Sequence, residues 1–118
     1  MSPTTAAECL FCRIVAGEVP AAVVAETDRS VAFRDVSPQA PTHVLVVPRR
    51  HVANAADLAE ASAEELSDVV ALAGQVAVRE GLAGAYRMVF NTGAGAGQTV
   101  FHAHLHVLGG RPLSWPPG

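Results

Sequence analysis

Five histidines occur in this chain, and three of them stand in one short run, His102-Ala103-His104-Leu105-His106-Val107-Leu108. Successive side chains of a strand point to opposite faces, so His102, His104 and His106 would share one face and Ala103, Leu105 and Val107 the other. Same-face neighbours lie roughly 6.5 to 7 Å apart along a strand. One imidazole can therefore stand near a phosphorus while the next reaches another atom of the phosphate or its leaving group. Just upstream runs a glycine-rich stretch from Asn91 through Gly93, Gly95 and Gly97 to Gln98 and Thr99. Its backbone amides, around Gly95 to Gly97, suit the charge of a bound phosphate, with Asn91 and Thr99 as side-chain donors.

The chemistry open to such a run is of two kinds. Three histidines can hold a catalytic metal with one position left open. Alternatively, a neutral imidazole attacks phosphorus directly: its ordinary pKa near 6.5 leaves it largely unprotonated at neutral pH. That attack needs one ring nitrogen free and the other held by an acceptor such as a backbone carbonyl. A second cluster is Cys9-Leu10-Phe11-Cys12, which reads as a redox pair or as half of a metal site. A thioredoxin-like redox pair would follow a strand, and none precedes it.

The elements that must position these groups can be read from pattern. Leu10, Phe11, Ile14 and Val15 recur at helical spacing before Gly17, predicting a short N-terminal helix. Strands are expected over 21–26 and 31–34 around a turn at 27–30, and over 42–47 after the proline-punctuated loop 37–41. Ser62 with Glu65 forms a capping box opening a long helix to Glu80, its apolar face carrying Leu66, Val69, Val70, Ala73, Val76 and Ala77. Strands over 86–91 and 101–108 follow, and the tail from Gly109 is too rich in proline and glycine for regular structure. The expected fold is α+β in one domain, 1–118: a five-stranded antiparallel sheet, one long helix and a short N-terminal helix.

Composition narrows the function. The chain has 118 residues, half of them hydrophobic, and a net charge of −3 with no basic run beyond Arg49-Arg50. Salt-sensitive binding to nucleic acid is disfavoured. Lysine is absent, which excludes Schiff-base chemistry and a P-loop lysine. No secretory signal is evident at the start and no apolar run is long enough to cross a bilayer, so a cytoplasmic protein without membrane contact is expected.

The run Phe33-Arg34-Asp35-Val36-Ser37-Pro38-Gln39-Ala40-Pro41-Thr42-His43, the run Asn91 to Leu108 and the ending Trp115-Pro116-Pro117-Gly118 resemble the histidine triad (HIT) superfamily. The similarity is greatest to its Hint branch of purine nucleoside phosphoramidases and reaches from about Cys9 to Gly118. Gly97-Gln98-Thr99 directly before the alternating histidines makes the signature specific, although Hint proteins more often carry serine at the Thr99 position.

The resemblance implies a catalytic set of His104 as nucleophile, His106 and Thr99 at the phosphate or leaving group, His43 supporting the triad, and His102, the first triad histidine. It further implies a nucleotide pocket made by Leu10, Phe11, Ile14, Phe33, Val36 and Val100, with Asp35 at the ribose and Asn91, Gly97 and Gln98 near the phosphate. Leu10, Ile14 and Phe33 also suit a plain core role. Arg34, where animal members often have histidine, should alternate away from the pocket. A structural zinc on Cys9, Cys12, His51 and His102 is implied by bacterial members, with no metal needed for catalysis. A homodimer is implied too, joined through the long helix and last strand, with Trp115 reaching the partner's site. A dinucleoside polyphosphate hydrolase and a non-enzymatic nucleotide-binding module remain alternatives.

Overall fold

The computed structural model describes residues 8–118. Its elements are α1 (Leu10–Val15), β1 (Val23–Glu26), β2 (Ser30–Arg34), β3 (Thr42–Pro48), α2 (Ala55–Ala61), α3 (Ala63–Arg79), β4 (Tyr86–Phe90) and β5 (Leu105–Gly109), with a 3-10 turn at Ala94–Ala96. The strands form one antiparallel sheet in the order β1-β2-β3-β5-β4. The expected α+β fold is therefore observed. β5 is paired on both sides, so the free edge at this end of the sheet is β4 rather than the last strand.

Period-2 alternation divides the sheet into two faces. Ala32, Val44, Val46, Leu105 and Val107 point toward α3 and join Val69, Leu72, Ala73, Val76 and Ala77 in the main core. Val31, Phe33, Leu45 and Val47 form the opposite face, where Cys9 and Phe11 pack. α3 is opened by Ser62, whose side chain accepts from the Glu65 amide, as the capping box predicts. Leu72 is buried in it and Val70 is exposed, so the apolar stripe is rotated from the expected one. The bidentate pairs Arg50–Glu65 and Arg34–Glu80 tie its two ends to the loop after β3 and to the end of β2.

Two further departures matter for the site. α2 lies where no helix was expected; Asn54 caps it by accepting from the Asp57 amide, and Leu58 is its buried anchor. β5 begins only at Leu105, so His102 and His104 stand in an extended lead-in to the strand. That lead-in is held by the Ala103 amide, which donates to the Val52 carbonyl at 2.8 Å. β1 likewise starts two residues later than expected, and Ala21 and Ala22 line a cavity instead. Among the described residues no helix is long and apolar enough to cross a membrane.

Candidate active site

The second face of the sheet carries a cavity of about 690 Å³, within the roughly 300–1,000 Å³ usual for small-molecule sites. α1 supplies Leu10, Phe11 and Ile14 to one wall, and β2 with the loop after it supplies Phe33, Asp35 and Val36. Gly97, Thr99 and Val100 come from the glycine-rich loop, and His43, His104 and His106 from β3 and the start of β5. Phe33 is buried and also lines the cavity, whereas Leu10, which also suited a core role, lines it while exposed. Asn91, Gln98 and Trp115 are not among the lining residues, and Trp115 is exposed. Pro20, Ser37 and Gln39 line the cavity without having been expected there.

Gln98 has a different task. Its Oε1 accepts from the Gly93 amide, and its Nε2 donates to the carbonyls of Ala53 and Val100 at 2.6 and 3.0 Å. The buried amide thus closes the loop and ties it to the segment before α2. Gly93 and Gly97 adopt positive φ, of 87° and 94°, at the two ends of the 3-10 turn, a conformation open to glycine. Arg34 touches the cavity rim, but its guanidinium is spent on Glu80.

Hydrogen-bond partners fix how each histidine carries its proton. The Gln39 amide donates to His43 Nδ1 at 3.0 Å, so the His43 proton sits on Nε2. His43 Nε2 lies 2.8 Å from His106 Nδ1 and donates to it, with Asp35 Oδ2 at 3.5 Å beside it. His106 therefore carries its own proton on Nε2, a buried atom with no partner among the described residues. His104 Nδ1 donates to the His102 carbonyl at 2.8 Å, which leaves the His104 Nε2 lone pair bare. The relay ends in one free donor and one free nucleophile. Phe11 packs edge-on against the His104 ring, with centroids 5.0 Å apart, and limits its rotation.

Electrostatics keep these rings neutral. Burial is the main cause pushing His104 and His43 below the ordinary histidine range, opposed at both by Asp35 and at His104 also by the His102 carbonyl. His106 is lowered to about 4, by burial first and then by His104 and His43. An unprotonated imidazole is the form a nucleophile needs.

Cys9, Cys12, His51 and His102 lie behind this relay, close enough to hold a metal ion. His102 Nε2 donates to the Pro48 carbonyl at 2.8 Å, so its Nδ1 lone pair faces the cluster. Nδ1 of His102 is 3.4 Å from each sulfur and 3.2 Å from His51 Nδ1, and Cys12 Sγ is 3.2 Å from His51 Nδ1. Tetrahedral metal–nitrogen and metal–sulfur bonds of about 2.0–2.1 and 2.3 Å imply edges of about 3.3–3.6 Å between such atoms. The fit is close. The Cys12 amide also donates to Cys9 Sγ, and burial with Cys9 pushes the Cys12 thiol up to about 11, so metal binding would release protons. Asp35, His43 and His106 are close enough as well, but the 2.8 Å between the two nitrogens is a hydrogen-bond length rather than a tetrahedral edge.

Relatives share this arrangement of chain. An uncharacterized HIT-like protein of Synechococcus elongatus is 48% identical over 114 residues, covering 94% of this chain and 97% of its own. Among solved structures, a HIT family hydrolase from Legionella pneumophila superposes with a TM-score of 0.89 at 50% identity, covering 93% of this chain and 99% of its own. A HIT family hydrolase from Clostridium thermocellum gives 0.85 at 42% identity, covering 90% and 93%. The HIT domain model matches residues 16–113, a span that takes in the sheet, the glycine-rich loop and all five histidines. With fold, motif and relatives in agreement, the chain belongs to the HIT domain family.

Proposed function

We infer that this protein hydrolyses purine nucleoside 5'-phosphoramidates, cleaving the P–N bond through a covalent nucleotidyl-His104 intermediate. The observation that carries the reading is the outcome of the proton relay: a bare His104 Nε2 and a His106 Nε2–H with no partner among the described residues, both on residues lining one cavity. His104 Nε2 attacks the phosphorus and the P–N bond breaks. The amine departs with a proton given up at His106 Nε2. Water then attacks the phosphorus, returns a proton to that nitrogen, and restores the lone pair of His104 as the P–Nε2 bond breaks. Thr99 and the loop amide at Gly97 meet the phosphate oxygens, where charge develops in the transition state. Asp35 receives the ribose hydroxyls, and the base lies between the α1 side chains and Phe33.

Charge favours a phosphoramidate over a dinucleoside polyphosphate. The sole cationic side chain among the lining residues, Arg34, is committed to Glu80, and the chain has no lysine. A polyphosphate leaving group would meet Asp35 without a compensating cation. A structural zinc on Cys9, Cys12, His51 and His102 fits the donor set and its spacings, and would supply a rigid tetrahedral crosslink rather than a Lewis acid at the substrate. A homodimer fits the free β4 edge and the exposed Val70 and Val78 of α3. Cytoplasmic residence fits cysteines retained as ligands.

The test is turnover of adenosine 5'-phosphoramidate by wild type and His104→Ala. Release of AMP that disappears in the variant supports the reading. Equal turnover by both proteins contradicts it, and binding without turnover by wild type favours the nucleotide-binding module.

A further inference from the structure

We propose that the metal cluster is a positioning device for the nucleophile, with Cys9, Cys12 and His51 acting on His104 through His102. The proposal rests on the reading of His104 as nucleophile. Its ground is a junction at one residue. The His102 ring offers Nδ1 to the cluster, and the His102 carbonyl accepts the His104 Nδ1 proton. That carbonyl sets which His104 nitrogen stays bare.

The junction matters because the sheet does not hold it. Pairing between β3 and β5 begins at Val46 and Leu105, past both histidines. The lead-in is fixed by the Ala103 amide on the Val52 carbonyl, by His102 Nε2 on the Pro48 carbonyl, and by the cluster. Val52 directly follows His51, so two of these three anchors depend on where His51 stands. The same cluster holds α1, because Cys9 caps that helix and Cys12 lies within it. Phe11, between the two cysteines, packs edge-on against both His102 and His104. Cys9, Cys12, His51 and His102 holding a metal would thus tie the α1 wall of the cavity and the nucleophile's acceptor to one point.

The experiment compares the zinc-loaded full-length protein with the chelator-stripped protein. Long-range proton–nitrogen spectra of histidine-labelled samples read the His104 tautomer without requiring substrate, and steady-state turnover of adenosine 5'-phosphoramidate reads function. The expected result is a single Nδ1–H tautomer of His104 in the loaded form and a mixture in the stripped form. The kcat falls by about three- to tenfold, the worth of one hydrogen bond, while KM rises as α1 loosens.

A stripped protein that remains folded, keeps the single tautomer and holds kcat within about twofold, less than one hydrogen bond is worth, overturns the proposal. Should stripping unfold the chain, His51→Gln titrated with zinc decides instead. Its kcat and its His104 tautomer should follow zinc occupancy, measured by dye competition, at constant folded fraction. If both follow the folded fraction rather than occupancy, the cluster is only a structural staple. Wild-type inactivity on nucleotide conjugates would sink the nucleophile reading, and the tautomer spectra would still decide the positioning.

Discussion

The His43 to His106 link gives the most exacting test of the relay. His43 is buried and its Nε2 is 2.8 Å from His106 Nδ1. His43→Ala removes the donor that holds the His106 proton on the cavity side. Leaving a buried acceptor unsatisfied costs about 1–3 kcal/mol, and each 1.36 kcal/mol on a barrier is tenfold in rate, so kcat should fall by about five- to 150-fold. His43→Gln separates this effect from packing, because its amide can still donate toward His106 Nδ1. It should stay within about tenfold of wild type. The assay is steady-state hydrolysis of adenosine 5'-phosphoramidate near pH 7, with thermal melts confirming that both variants are folded. The reasoning is refuted if His43→Ala stays within about twofold of wild type, or if the two variants lose activity equally.

Stability should depend on pH through His106, whose folded pKa is about 4 against an ordinary 6.5. As pH falls the unfolded chain takes up this proton first, so the contribution is complete above about 6.5 and is lost between there and about 4. The loss from this one group is on the order of 3 kcal/mol. Urea melts of wild type and His106→Asn across that window should converge toward acid pH, and parallel curves would count against it. Gly110 has a φ of +93°, and a Cβ there would lie 2.9 Å from Pro41 Cβ. Gly110→Ala should cost about 1–3 kcal/mol, read as a lowered Tm, and an unchanged Tm would show that the loop has room to move.

Much of this was legible before any coordinates. Alternation placed His106 opposite Leu105 and Val107, and the observed faces agree, because one face of β5 must meet the α3 core. It could not say where the ladder starts: His102 and His104 keep the extended direction while their ring N–H groups donate to the backbone carbonyls of Pro48 and His102. α2 escaped notice because one buried leucine among alanines leaves little periodicity, although Asn54 and Asp57 carried a capping signal. The periodicity of α3 places Val70 on the apolar face, but Leu72 is buried there and Val70 exposed, because a stripe of small and branched residues permits two rotations. The spacing of Cys9 and Cys12 suggests a redox pair or half of a metal site, and His51 and His102 join them only through family resemblance; the four lie close enough to hold a metal ion. Nothing local links the two histidines to the cysteines. Gln98 sits in the signature between Gly97 and Thr99, and only its three partners reveal a loop clamp. Gln39 contributes through its backbone amide, a role that side-chain chemistry does not advertise.

The central claim is that His104 Nε2 becomes bonded to phosphorus. Rapid acid-free quenching of wild type with adenosine 5'-phosphoramidate, followed by intact-mass and peptide mass spectrometry, tests it directly. The account predicts a nucleotidyl adduct on the peptide carrying His104, formed and consumed at rates that match turnover, and absent from His104→Ala. Turnover with no adduct at any time point, or an adduct on His102 or His106 instead, would contradict it.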